Sequence, residues 1–210
     1  MSDIHKILKQ YWGYSKFRPL QEDIIQSILS GKDTLALLPT GGGKSICFQV
    51  PAMALEGKCL VISPLIALMK DQVENLNKRG IKAASLHTGM HSTEIERTIN
   101  KAVYGDLKFL YVSPERLESE KFIANIERMN ISLLAVDEAH CISQWGYDFR
   151  PPYLKIAEVR KHIPNAKIIA LTATATPEVV IDIQDKLHFA KKNLFQKSFE
   201  RQNVVCLECQ

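Results

Sequence analysis

Residues 39–45 read Pro39-Thr40-Gly41-Gly42-Gly43-Lys44-Ser45. Consecutive glycines followed by a lysine and a hydroxyl are the materials of a phosphate cradle. Glycine lets successive backbone N–H groups turn toward a single anion. The helix pattern that begins at Lys44 aims the positive end of its dipole at the same point. In such a loop Lys44 reaches the β- and γ-phosphates of a nucleotide, and the Ser45 hydroxyl binds Mg²⁺. Thr40, Gly41, Gly42 and Gly43 form the rest of the cradle. The common form of the loop, G-x-x-x-x-G-K-[ST], opens on glycine, where this sequence has Leu38.

A second constellation complements the first. The apolar run 133–136 ends on Asp137-Glu138-Ala139-His140. Asp137 is suited to hold Mg²⁺ through its water shell, since that ion dehydrates reluctantly. Glu138 is placed to orient and deprotonate an attacking water, the positioning that phosphoryl transfer demands. His140 lies too far along to bind the same ion and is read as a relay to another motif.

These residues need a scaffold that brings the ends of different strands together. Short apolar runs occur at 34–38, 59–62, 83–86, 109–112, 133–136 and 168–171. Several are apolar at consecutive positions, as strands covered on both faces are. Between them lie amphipathic stretches at 20–29, 44–55, 66–78, 92–103, 121–129, 153–161 and 177–187, and 1–10 has helical periodicity too. Pro19 and Pro177 stand where a helix begins, in the first turn that tolerates proline. The alternation predicts an α/β fold with a mostly parallel central sheet and helices on both faces. Ligands of such sheets bind beyond the carboxyl ends of the strands, where both constellations fall.

Composition sets the bounds. The chain has 210 residues, is 46% hydrophobic and 24% charged, and carries a formal net charge of +4. It is long enough for one large domain, and its mild basicity permits a nucleic-acid partner without requiring one. No run is apolar for the length a bilayer needs, and the N-terminus lacks a signal peptide's apolar core. An intracellular protein is expected: cytoplasmic and nucleoid-associated if bacterial, nuclear if eukaryotic, with no membrane partner. The five cysteines, Cys47, Cys59, Cys141, Cys206 and Cys209, suit buried thiols. Cys206 and Cys209 form a C-x-x-C, but one pair cannot supply the four ligands of a structural zinc.

Further stretches carry a family resemblance. Gly13-Tyr14 and Phe17-Arg18-Pro19-Leu20-Gln21 are similar to the adenine-recognition motif of superfamily 2 helicases, whose phosphate loop also commonly lacks the first glycine. Asp137-Glu138-Ala139-His140-Cys141-Ile142-Ser143-Gln144-Trp145-Gly146-Tyr147-Asp148-Phe149-Arg150-Pro151 resembles the signature of the RecQ family, including its aromatic-rich loop. The stretches 63–73, 113–117 and 170–175 resemble, in order, two DNA-contacting motifs and the motif that couples hydrolysis to movement. The resemblance covers essentially the whole chain. It implies a RecA-like P-loop NTPase fold and an ATP- and Mg²⁺-dependent 3′→5′ DNA helicase acting in recombination and repair. Its substrate would be single-stranded and duplex-junction DNA.

The resemblance assigns roles residue by residue. Tyr14 stacks on adenine, Gln21 reads its edge and Arg18 adds a contact; a glutamine amide offers both the donor and the acceptor this needs. Phe17 belongs to the core. Ser63, Thr88 and Ser113, through hydroxyl or backbone N–H, contact phosphates without reading sequence. Lys70 and Arg116 add charge. Trp145 and Phe149 stack on bases or sense them, with Arg150 behind them. Residues 1–203 form a first RecA-like domain, and 204–210 begin the link to an absent second one, which would supply the arginines facing the ATP. Competing readings are an RNA helicase of the DEAD/DEAH type, a non-catalytic ATP-switched nucleic-acid clamp, and a P-loop metabolic kinase.

Overall fold

The computed structural model describes residues 3–196. Helix α1 (Ile4–Trp12) is capped by Asp3, which accepts from the His5 and Lys6 N–H groups, and ends at Gly13 in the left-handed region. Helix α2 (Gln21–Leu29) leads into strand β1 (Thr34–Leu37). The remaining elements are α3 (Lys44–Ala54), β2 (Lys58–Ile62), α4 (Ile66–Lys78), β3 (Ala83–Leu86), α5 (Ser92–Tyr104) and β4 (Phe109–Val112). They are followed by α6 (Glu120–Ile126), β5 (Ile131–Val136), α7 (Ile156–His162), β6 (Lys167–Thr172), α8 (Pro177–Lys186) and β7 (Leu194–Gln196).

The strands form one seven-stranded sheet in the order β3-β4-β2-β5-β6-β1-β7, and every pairing is parallel. Alternate strand residues feed two cores. Leu60, Ile62, Leu134, Val136 and Ile168 pack with Ile99 of α5, Phe122 of α6, Ile156 of α7 and Ile183 of α8. Cys59, Val61, Leu133, Ala135 and Ile169 pack with Ile24 of α2, Phe48 of α3 and Met69 of α4. Helix α1 lies outside that second layer, with Leu8 against Ile25 and Val50. Burial on both faces is why the strands read as continuous apolar runs. No helix among the described residues is long and apolar enough to cross a membrane.

The strand order divides the carboxyl edge of the sheet. The turns after β1, β6 and β5 lie on one side and carry Lys44, Thr172 and Asp137. Those after β2, β4 and β3 lie on the other and carry Ser63, Ser113 and Thr88.

Some local expectations need correction. Pro19 precedes rather than starts a helix: α2 begins at Gln21, with Leu20 at φ 69° as its N-cap. The Arg18 N–H donates to Gln21 Oε1 at 2.9 Å, closing a turn ahead of the helix. The stretches expected as helices at 121–129 and 153–161 each split. A 3₁₀ turn, Glu127–Met129, follows α6, and another, Pro151–Lys155, precedes α7. β7 was not expected, because it is short, mostly exposed and lies at the sheet edge. Asn193 docks it, donating from Nδ2 to the Asp33 carbonyl, Ser27 Oγ and Thr34 Oγ1. The Cys206–Cys209 motif, the strand considered at 204–208 and the start of the interdomain link lie outside the described residues.

Candidate active site

The phosphate loop lies between β1 and α3. Gly41 and Gly43 both adopt φ 76°, a conformation open to glycine. A Cβ on Gly43 would lie 2.5 Å from Gln21 Nε2, and one on Gly42 would lie 2.8 Å from the Pro39 carbonyl oxygen. The loop is therefore closely packed as well as special in backbone. The first-turn N–H groups of α3, at Lys44 and Ser45, have no carbonyl one turn earlier to receive them. A cleft of about 380 Å³ opens beside them, lined by Thr40, Lys44, Ser45, Ser63, Asp137 and Glu138 among others.

β5 delivers the two carboxylates to this cleft. Glu138 takes φ 47°, a left-handed conformation that costs a non-glycine residue roughly 1–3 kcal/mol and is found where function over-determines the backbone. The turn is pinned from below. The Asp137 N–H donates to the Ile62 carbonyl at 2.9 Å, and the fully buried Tyr153 donates its hydroxyl to the Asp137 carbonyl at 2.9 Å. Lys44 Nζ stands 3.8 Å from Glu138 Oε1. Asp137 receives the Ser63 hydroxyl at 3.3 Å and the Glu138 N–H at 3.0 Å. A serine hydroxyl and a carboxylate are hard oxygen donors, which suits Ser45 and Asp137 to Mg²⁺.

Burial raises the Asp137 carboxyl above the usual range, and the neighbouring Glu138 charge raises it further. An acid whose pKa is higher folded than unfolded stabilises the fold fully below the unfolded value. That stability is lost as pH rises through the folded value. Asp137→Asn is therefore expected to raise the melting temperature of the nucleotide-free chain at neutral pH, with the gain shrinking as pH falls into the carboxylate range. A thermal melt series across pH reads this. An Asn variant less stable than the parent at neutral pH contradicts it.

His140 is buried and connects two strand ends. Its Nδ1 lies 2.9 Å from Thr172 Oγ1 and 3.4 Å from Glu138 Oε2. Thr172 spends its proton on the Thr174 carbonyl at 3.1 Å, so it accepts from His140, and Nδ1 carries the ring hydrogen. Burial lowers the imidazole pKa, which keeps the ring neutral. His140 thus stands between Glu138 and residues 170–175.

The residues expected to recognise the base gather at an adjoining cleft of about 330 Å³, lined by Trp12, Tyr14, Arg18, Gln21, Gln72 and Arg79 among others. Tyr14 is exposed, with nothing stacked on it among the described residues. Gln21 is buried and donates to the Gly43 carbonyl at 3.0 Å, and Arg18 Nη1 reaches the Gly41 carbonyl at 2.5 Å. The base motif and the phosphate loop are thus bonded together directly. Phe17 is half-buried, packing beside Ile4 and Leu8 and edge-on to His5. Gln49 and Gln72 were not anticipated. Gln49 donates to Gln72 at 3.0 Å and to the Tyr111 hydroxyl at 3.2 Å, crossing from α3 to α4 and β4.

The polynucleotide candidates behave differently from one another. Trp145 is 79% exposed, as is Tyr147, which stacks on His140 with ring centroids 4.6 Å apart. Tyr147 was not singled out in the sequence, although it lies inside the quoted signature. Phe149 is half-buried beneath the Lys186 ammonium at 5.9 Å, so it faces α8 more than solvent. Arg150 forks onto Asp148 at 3.0 and 3.2 Å. The Ser63 and Ser113 N–H groups are not free for phosphate: they extend the ladder to the Val112 and Leu86 carbonyls. Ser63 also turns its hydroxyl to Asp137. Ser113 Oγ is buried without a partner among the described residues. Arg116 donates twice to the His87 carbonyl, at 2.9 and 3.1 Å, so it braces the turn that presents the exposed Thr88. Lys70 is exposed on α4.

Comparison with known proteins agrees with this geometry. The probable ATP-dependent DNA helicase RecS of Bacillus subtilis (strain 168) is 43% identical over 205 residues, 98% of this chain and 41% of that protein. The ATP-dependent DNA helicase RecQ of the same organism is 46% identical over 201 residues, 95% of this chain and 34% of that protein. The chain thus spans less than half the length of these curated relatives. Among solved structures, the DUF1998 helicase MrfA bound to DNA matches with a TM-score of 0.71 at 18% identity, over 93% of this chain and 29% of that one, a likeness of fold. The profile of DEAD/DEAH box helicases spans residues 18–183, taking in the phosphate loop, both carboxylates and the His140–Thr172 contact, and the chain belongs to the DEAD/DEAH box helicase family.

Proposed function

We propose that this chain is the first motor domain of an ATP-dependent 3′→5′ DNA helicase of the RecQ type, working in recombination and repair on single-stranded and junction DNA. The observation that carries the reading is the line of contacts from Lys44 through Glu138 and His140 to Tyr147, on the loop that also exposes Trp145. It ties a hydrolysis site to an aromatic loop suited to unpaired bases.

Lys44 and the N–H groups of the loop bind the terminal phosphates, while Ser45 and Asp137 would hold Mg²⁺, which when bound would neutralise charge on the phosphate oxygens. Glu138 orients a water in line with the γ-phosphate and takes its proton as the bond to the leaving oxygen breaks. Lys44, 3.8 Å away, helps to aim that carboxylate. Neutral His140 holds Glu138 from behind and passes its position to Thr172. Tyr14, Arg18 and Gln21 select adenine.

Guanine reverses donor and acceptor at the edge that Gln21 reads. Each mismatched buried polar group costs roughly 1–3 kcal/mol. This chain is expected to bind ATP at least about tenfold more tightly than GTP, read by competition against a fluorescent nucleotide; equal affinities remove the adenine assignment.

The decisive experiment uses a longer protein that carries this chain. Its ATPase should rise with single-stranded DNA and respond little to RNA, and Trp145→Ala should lose most of that stimulation while keeping nucleotide affinity. Equal stimulation by RNA favours the RNA-helicase reading. A Trp145→Ala enzyme with normal DNA-stimulated turnover assigns that side chain to packing.

A further inference from the structure

His140, Cys141 and Asp148 place one imidazole nitrogen, one thiol sulfur and one carboxylate oxygen within 4.8 Å of one another. We propose that these residues form a binding site for a borderline-soft divalent cation of the Zn²⁺ type, separate from the Mg²⁺ position.

Three observations point there. Cys141 Sγ lies 3.7 Å from His140 Nε2 and 3.7 Å from Asp148 Oδ2. Bonds of about 2.3 Å to sulfur and about 2.0–2.1 Å to nitrogen or oxygen give tetrahedral edges of roughly 3.5 Å, which the two edges to sulfur already approach. The tautomer is already right: with Nδ1–H donated to Thr172, Nε2 is left with its lone pair facing the cluster. A metal-bound histidine held through its other nitrogen by an oxygen acceptor is the usual supporting arrangement. The backbone is also fixed, since the Arg150 N–H donates to the Cys141 carbonyl at 2.8 Å and ties the two ends of the loop together.

The donor set selects the ion. A thiolate with imidazole suits Zn²⁺ and its analogues, whereas Mg²⁺ prefers oxygen alone. Binding converts the Cys141 thiol to thiolate and releases its proton to solvent. Three protein ligands leave a fourth position for water. The Arg150 guanidinium shares Asp148 Oδ2, so the cation competes with that ion pair. Occupancy fastens Asp148 to His140 and clamps the aromatic loop onto the base of the catalytic turn. Under the function proposed above, that clamp suppresses DNA-stimulated turnover.

The test uses the 210-residue chain with Cys206→Ser and Cys209→Ser, which removes the C-x-x-C as a rival ligand pair. Co²⁺ titration should give one ion per chain, with tetrahedral d–d absorption and a near-ultraviolet thiolate charge-transfer band, both displaced by Zn²⁺. Cys141→Ser should lose the charge-transfer band. Asp148→Asn, at a half-exposed loop position where folding is not at stake, should weaken Co²⁺ binding about tenfold or more. Circular dichroism checks that both variants fold. Absence of a one-to-one complex, or spectra and affinity unchanged in the two variants, overturns the site. Because this readout needs neither ATP nor DNA, its failure leaves the helicase reading intact; a cation that binds as described without slowing turnover counts against the clamp.

Discussion

Glu138→Gln is expected to leave nucleotide bound and bring hydrolysis nearly to a halt. Affinity rests on other groups: the glycine loop, Lys44 and the base contacts of Tyr14 and Gln21. The amide keeps the shape of the acid beside His140, so the strained turn at φ 47° has no reason to relax. What disappears is the base. A positioned proton acceptor contributes about 10²–10⁴ in rate, and the loss should fall on kcat, since the ground state does not use it. Removing the Glu138 charge also relieves one of the two influences that raise Asp137. Asp137 then ionises at lower pH, and Mg²⁺-dependent nucleotide binding should persist further into acid than in the parent. Lys44→Ala is the contrasting variant, losing binding and turnover together. Phosphate release measured beside nucleotide binding, in a protein with both RecA-like domains, separates the cases. A Glu138→Gln enzyme within tenfold of the parent rate means another group is the base.

The parts of this site that could be read from the sequence are those built by local pattern. A strand covered on both faces announces itself by continuous apolar residues, and a ligand site at its carboxyl end follows from parallel topology. Lys44, Ser45, Asp137 and Glu138 were placed in this way, and the structure brings them to one cleft. Contacts between distant segments leave no such trace. Tyr153 supports the Asp137 carbonyl from a 3₁₀ turn across the aromatic loop, and nothing in its neighbourhood marks that partner. Ser63 stands in a stretch resembling a DNA-contacting motif, yet its hydroxyl faces Asp137. Arg116 looks like a free charge in sequence and proves to be a brace for the His87 carbonyl. The edge strand β7 is too short and too exposed to produce a pattern, and the Asn193 side chain that helps dock it beside β1 carries no mark of that role in the sequence.

Comparing this chain with a longer protein that carries a second RecA-like domain should give the largest difference of all. The cleft here has one wall: Lys44, Ser45, Asp137, Glu138 and the base contacts all rise from the carboxyl edge of a single sheet and the helices beside it. Arg18, the arginine lining the phosphate cleft among the described residues, has Nη1 committed to the Gly41 carbonyl, on the loop side of the cleft. No guanidinium among the described residues is placed to meet charge on the γ-phosphate from the open side. An arginine supplied there is worth about 10³–10⁵ in rate, so the 210-residue chain should bind ATP·Mg²⁺ and turn it over slower by that factor. Free guanidinium should not restore the rate, because the gain comes from a fixed position. Unwinding should be absent for a separate reason: moving along a strand needs two bodies that close and open around the nucleotide. The measurement is steady-state ATPase with single-stranded DNA for both proteins, with Lys44→Ala in each to remove contaminating activity. Comparable Lys44-dependent rates in the two would mean that this single sheet completes the site unaided, and that the far wall is not where the transition state is stabilised.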